Sequence, residues 1–296
     1  MLALSLTLPV TSQAAAELSL VPDLLALDWF YLFWQPLMYA TSAGAVWALL
    51  AGATLLLFVL PALPHTVAAP IAEVHLDNCN GCRRCFEDCP YAAITMVPHP
   101  SGIAGRQLAQ VIPDLCASCG ICAGACPSST PFRSTAELLT GIDMPQMPIA
   151  GLRQALEQGL TRLEGENGIV VFGCDQGARL ASLAGKDIAS VSLICTGMLP
   201  PSFVEYALRG GAAGVLVTGC RAGACAFRLG NRWTEERLAG LREPHLRASP
   251  MGKIVRIAWA DRGEEAELAL VLDAMRQALA AERLPNSDPI ADSTAD

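Results

Sequence analysis

The sequence predicts a multi-domain protein of mixed α+β and α/β class. It has an N-terminal transmembrane helix, a small cysteine-rich domain and a C-terminal parallel α/β domain. Three observations lead there. A long uncharged apolar run lies near the N-terminus. Eight of the twelve cysteines fall into two identically spaced groups. From residue 168 onward, short apolar runs alternate with amphipathic ones, the pattern of a parallel sheet covered by helices. The 296 residues allow two or three small domains. Charged residues make up only 16%, against ~25% in soluble domains, which favours a membrane segment. The net charge of −8 and the lack of a long basic run argue against nucleic-acid binding.

Residues 1–66 read as a membrane anchor. No charged residue occurs between Asp28 and Glu73, and Ala43 to Leu60 reads AGAVWALLAGATLLLFVL. A helix of ~17–25 residues crosses a ~30 Å hydrocarbon core, so a transmembrane helix is expected at about 42–61. Thr41 and Ser42 precede it, and Pro61 and Pro64 end it. A buried core helix is the bland alternative. Trp29-Phe30-Tyr31-Leu32-Phe33-Trp34 carries interface-loving aromatics. Residues 18–40 therefore read as an interfacial helix, with Pro36 interrupting any longer one. Gln13-Ala14-Ala15-Ala16 resembles a signal-cleavage site, but no basic n-region accompanies it, so cleavage is not expected. All Lys and Arg residues lie from Arg83 onward. Positive-inside logic then predicts a single-pass protein of the cytoplasmic (inner) membrane, its C-terminal domains in the cytoplasm.

The cysteine groups are Cys79-x2-Cys82-x2-Cys85-x3-Cys89-Pro90 and Cys116-x2-Cys119-x2-Cys122-x3-Cys126-Pro127. Each x2 step lets a tight loop bring three thiolates onto one cubane, while the fourth cysteine ligates the other cluster. The spacing therefore assigns Cys79, Cys82, Cys85 and Cys126 to one [4Fe–4S] cluster, and Cys116, Cys119, Cys122 and Cys89 to a second. Complete cysteine coordination leaves no iron site open to substrate, which favours electron transfer. Paired zinc sites are the alternative, but zinc modules use two CxxC pairs rather than three evenly spaced cysteines and a CP. Asn80, Gly81, Ser118 and Gly120 suit loops whose backbone N–H groups point at cluster sulfur. This module, residues 70–128, resembles bacterial two-cluster ferredoxins, which implies a ferredoxin-like domain.

Residues 129–167 read as a connector with turn-forming prolines and one helix at about 152–163. Strands are expected at 169–172, 191–194, 215–217 and 254–257. Helices are expected at about 177–184, 201–209, 233–242 and 263–282. The polar tail 284–296 reads as disordered. Cys174, Cys195 and Cys220 close the first three strands, and Cys225 follows in a Gly-rich loop. Ligands of open parallel sheets bind beyond the carboxyl ends of strands. These four thiols suit a [2Fe–2S] cluster. A redox-active Cys220–Cys225 disulfide is the rival, and buried cysteines acting as small hydrophobes the bland reading.

Residues 168–283 resemble the delta subunit of methyl-viologen-reducing hydrogenase. The resemblance rests on Phe172-Gly173-Cys174, Ile194-Cys195-Thr196-Gly197, Gly214 through Cys220, Gly223-Ala224-Cys225, Asn231-Arg232 and Glu235-Glu236-Arg237. It implies a [2Fe–2S] cluster on Cys174, Cys195, Cys220 and Cys225, and partners resembling hydrogenase or heterodisulfide reductase. One departure is Gly177, where the family usually has a cysteine. Val21-Pro22-Asp23 and Leu27-Asp28-Trp29-Phe30-Tyr31 approximate the quinol-site region of cytochrome b. A lone acid at the interface such as Asp28 is more often a solvated anchor. His65, His75, His99 and His245 form no helical pair suited to haem, and no nucleotide motif occurs.

These readings converge on an electron-transfer subunit rather than a stand-alone catalyst. It would link a cytoplasmic hydrogenase- or heterodisulfide-reductase-like partner to a membrane quinone or a cytochrome b-like subunit. The alternatives are a membrane-anchored thiol–disulfide enzyme using Cys220 and Cys225, and a zinc-stabilised scaffold.

Overall fold

The computed structural model describes residues 34–63, 69–133, 138–165, 167–183, 185–246 and 254–282. They fall into two compact units divided at Val67–Ala68. The first holds helix α1 (Gln35–Ala40) and helix α2 (Ala43–Val59). Pro36 stands in the first turn of α1, where its missing N–H costs nothing, so it opens a helix rather than interrupting one. Residues 18–33 of the expected interfacial helix lie outside the described residues. Thr41 closes α1 by donating from Oγ1 to Leu37 O at 2.7 Å. Ser42 Oγ caps α2, accepting from Ala45 N at 3.2 Å. The only buried residue of α2 is Val46. A 3-10 turn carries the helix to Ala62, giving a segment long and apolar enough to cross a membrane. Its span is about 30 Å at ~1.5 Å per residue.

The second unit begins with a pseudo-repeat. Strand β1 (Glu73–Val74), helix α3 (Arg84–Asp88) and strand β2 (Ile94–Pro98) come first. Strand β3 (Gln107–Val111), helix α4 (Ile121–Ala125) and strand β4 (Ile142–Asp143) follow. β2 and β3 form an antiparallel hairpin, and β1 pairs with β4. Strand β4 falls in the segment expected as connector. Helix α5 (Ile149–Arg162) starts on the Asp143 carboxylate, which accepts from Ile149 N at 3.1 Å.

Four parallel strands follow: β5 (Ile169–Cys174), β6 (Ile188–Leu193), β7 (Gly214–Gly219) and β8 (Ile254–Trp259), in the order β6-β5-β7-β8. Helices α6 (Pro201–Arg209), α7 (Gly230–Leu238) and α8 (Glu265–Glu282) complete the unit. The expected helix at 177–184 is only a 3-10 turn, Leu180–Leu183. Ala178 N is drawn instead to Ala260 O across the sheet edge, at 2.9 Å. The strand period of two sorts the core. Val170, Phe172, Val215 and Val217 face α5 and α6, while Ile169, Val171 and Leu216 face Leu268, Leu272 and Met275 of α8. The first of these clusters continues without a break into Cys85, Ile94, Ala109, Cys122, Ile142 and Met144. The cysteine module and the α/β region thus share one core.

Candidate metal centres

Both cysteine motifs wind the backbone alike. The residues flanking the second cysteine are left-handed in each: Gly81 (φ 70°) and Arg83 (φ 69°), then Ser118 (φ 58°) and Gly120 (φ 74°). Arg83 and Ser118 adopt a conformation that side chains disfavour. A five-residue helix then follows and ends on the fourth cysteine, Cys89 or Cys126, which turns extended and leaves the helix axis. The consequence is a crossing. Cys79, Cys82, Cys85 and Cys126 surround one cavity with Met96, Ala109 and Ile142. Cys89, Cys116, Cys119 and Cys122 surround another with Ile94, Val111, Ile121 and Met144. The two cavities are alike in size and in their four-thiol lining, so they suit occupants of one kind.

The lining is shaped for a guest. A Cβ on Gly141 would stand 3.2 Å from Cys126 Sγ, and one on Gly81 2.4 Å from Gln107 O. Ala93 N donates to Cys89 Sγ at 3.3 Å, and Ser128 Oγ lies 3.0 Å from Cys126 Sγ. Burial, with repulsion from Cys126, Cys82 and Cys79, pushes Cys85 up to about 12. Burial likewise raises Cys119 to about 11, and Cys122 well above the ordinary thiol range. Such crowded sulfurs ionise readily only against a bound cation, as metal ligation requires. Among the described residues, no three His, Cys, Asp or Glu side chains are spaced for a single metal ion. The thiols ring cavities instead, an arrangement that fits a multi-iron cluster better than zinc. Cys82 is the exposed member of its set.

The other four cysteines gather at the carboxyl edge of the sheet. Cys174 ends β5, Cys195 lies just past β6, Cys220 follows β7, and Cys225 precedes α7. β5 lies between β6 and β7, so three strand ends converge where the connections reverse direction. Cys174 Sγ donates to Ile194 O and accepts from Gln176 N, both at 3.4 Å, and the four thiols lie close enough to perturb one another. Hydrogen bonding from Cys195 lowers Cys174 to about 6 and Cys225 to about 5. The same bonds raise Cys195, and burial raises Cys220 to about 11. All twelve cysteines are free. Gly230 is required here, because a Cβ would stand 2.1 Å from Cys195 Sγ. Thr196 Oγ1, next to Cys195, and Thr218 Oγ1, two residues before Cys220, are buried without a partner. An acceptor such as cluster sulfide suits them. At Gly177 a Cβ would lie 2.7 Å from Gly219 C, so the backbone of 219–220 fills the space that a cysteine would need.

Residues 78–130 match the 4Fe–4S dicluster domain family, and residues 169–281 match the family of the methyl-viologen-reducing hydrogenase delta subunit. One chain thus carries both matches, the dicluster region followed by the delta-subunit region. The two matches together suggest an iron–sulfur electron-transfer role.

The dicluster and delta-subunit domains meet at their sulfurs. Cys119 and Ile121 of the first form one buried cluster with Cys195 of the second, edged by Tyr91, Cys225, Phe227 and Trp233. The Arg228 guanidinium lies 4.8 Å over the Tyr91 ring and donates to Pro90 O at 3.0 Å. Asp88 is buried between Arg237 and Arg242. The spacing of the cysteines gave no sign of Asp88, Tyr91, Trp233 or Gly230. The roles of Asp88, Tyr91 and Trp233 arise from contacts between segments more than a hundred residues apart in the sequence, and that of Gly230 from its close approach to Cys195.

Proposed function

We propose that this protein relays single electrons through three iron–sulfur centres in series. Cys174, Cys195, Cys220 and Cys225 would hold a [2Fe–2S] cluster. Cys89, Cys116, Cys119 and Cys122 would hold the nearer [4Fe–4S] cluster, and Cys79, Cys82, Cys85 and Cys126 the farther one. The observation that carries this reading is the apolar cluster joining Cys119 to Cys195 and Cys225. It supports a water-excluding junction between the two domains. Cys122 and Cys85 share the core between the two cavities, which supports a second short step. When bound, iron–sulfur clusters exchange one electron without changing ligands. The protein's part is to fix spacing, exclude water and supply hydrogen bonds to sulfur. The thiol-exchange alternative needs Cys220 to meet Cys225. It leaves Cys174 and Cys195, at the same edge of the sheet, without a role.

The segment Ala43–Ala62 would anchor these domains to the cytoplasmic face of the inner membrane. Electrons would pass between a hydrogenase- or heterodisulfide-reductase-like partner and a membrane quinone or cytochrome b-like subunit. Anaerobically purified full-length protein should contain about ten irons per chain, four for each cubane and two for the smaller cluster. Stoichiometric zinc with little iron or sulfide would refute the reading. Cys195→Ser should remove about two of those irons and spare both cubane signals. Protease added to intact spheroplasts should leave residues 70–296 uncut, and digestion there would reverse the orientation.

A further inference from the structure

We propose that Arg237, clamped on Asp88, is a positioning residue for electron hand-over between the delta-subunit domain and the dicluster domain. The proposal rests on the three-centre reading above. Arg237 is 1% exposed, and its guanidinium reaches two segments. Nη1 donates to Gly197 O at 2.7 Å, two residues beyond Cys195. Nη2 bonds the Asp88 carboxylate, immediately before Cys89. One rigid, planar group therefore ties the backbone after a cysteine of one centre to the side chain of the residue before a cysteine of the next.

Asp88 is committed to this contact. It is the last residue of α3 in the dicluster domain, yet its partners lie in the delta-subunit domain. Arg242 Nη1 takes the second carboxylate oxygen at 2.6 Å, and Trp233 Nε1 donates to Asp88 O at 3.1 Å. Arg242 in turn stacks 3.4 Å from the Trp233 ring centroid. A buried ion pair is a poor device for stability alone, because desolvating two charges offsets most of their attraction, and an apolar pair often does as well. Its distinctive property is geometric. A guanidinium fork fixes distance and angle to its acceptors, which an ammonium does not. Spacing and angle are what a hand-over between two buried centres depends on.

The test uses anaerobic full-length protein as wild type, Arg237→Lys and Asp88→Asn. Arg237→Lys keeps the charge and loses the fork; Asp88→Asn keeps the shape and loses the charge. Each sample, half-reduced with dithionite, is assayed for iron and sulfide and for the spin–spin interaction between the delta-domain centre and the nearer cubane. Both variants should retain the wild-type iron content, and both should lose part or all of that interaction. Arg276→Lys, at a surface pair, should change neither. Wild-type interaction in both iron-replete variants would overturn the proposal. So would loss of delta-domain iron in both, which would make Arg237 an assembly residue. A wild type with no delta-domain iron would instead refute the three-centre reading itself.

Discussion

Gly124→Ala is the sharpest probe of the junction between the two domains. Gly124 lies in α4, between Cys122 and Cys126. In a helix, alanine is favoured over glycine by about 1 kcal/mol, so propensity alone predicts stabilisation. The surroundings predict the reverse. The new Cβ would stand 2.3 Å from Gly197 O and 2.7 Å from both C and O of Met198. All three atoms are backbone, so no rotamer change relieves them. Carbon and carbonyl oxygen rest at about 3.3 Å, so α4 and the 197–198 turn must separate by about 1 Å. Overpacking of this kind costs roughly 1–3 kcal/mol, leaving a net loss of up to about 2 kcal/mol after the helical gain. The thermal midpoint of anaerobic, cluster-loaded protein should fall. The spin–spin interaction between the nearer cubane and the delta-domain centre should weaken. An equal or higher midpoint with unchanged interaction would show that the contact yields freely and that the junction is not close-packed.

Three further predictions use other parts of the fold. Gly151→Ala, in α5, meets only Pro148 side-chain carbons at 3.5 and 3.7 Å, so it should raise stability by about 0.5–1 kcal/mol; a lower thermal midpoint would contradict this. Gly177→Cys should hinder assembly rather than add a ligand, because its Cβ meets Gly219 C at 2.7 Å; more iron per chain than wild type would refute this. Hydrogen bonds from Arg276 hold the Asp187 carboxyl below its ordinary range. Its stabilisation is therefore full above the unfolded carboxyl pKa of about 3.9 and is lost as pH falls through the folded value. The pair is largely solvent-exposed, so Arg276→Ala should cost no more than about 1 kcal/mol near neutrality. That deficit should narrow in denaturation curves only as the pH approaches about 4.

Much of the α/β region was legible because its signals are local. The runs at 169–172, 215–217 and 254–257 seeded strands that extend to Cys174, Gly219 and Trp259. The helix expected at 201–209 forms over those residues. The spacing also grouped Cys126 with the first motif and Cys89 with the second, and each lines the cavity of that group. The boundary at 128 was not readable as a break in the core. Strand β4 has only two residues, paired with a two-residue β1 seventy positions earlier, and no periodicity announces so short a strand. The 177–184 helix failed because Gly177 packs backbone to backbone against 219–220, a tertiary contact that overrides helical patterning.

The shared core changes what the fusion means physically. Two domains joined only by a connector would move relative to one another, and the distance between their centres would fluctuate. Here Gly124 against Gly197 and Gly197 against Gly230 bring three segments to backbone contact beside Cys195 and Cys122, and the Arg237–Asp88 pair clamps them with side chains. Each glycine admits an approach that any side chain would block. Residues 129–167 add β4 and α5 to the same core, so this stretch does not behave as a spacer. The junction follows from the most position-sensitive part of the proposed task. Ligand spacing can be encoded locally and repeated, as in the two motifs. The separation between centres on different domains has to be set by tertiary packing, and that is where the glycines and the buried ion pair lie.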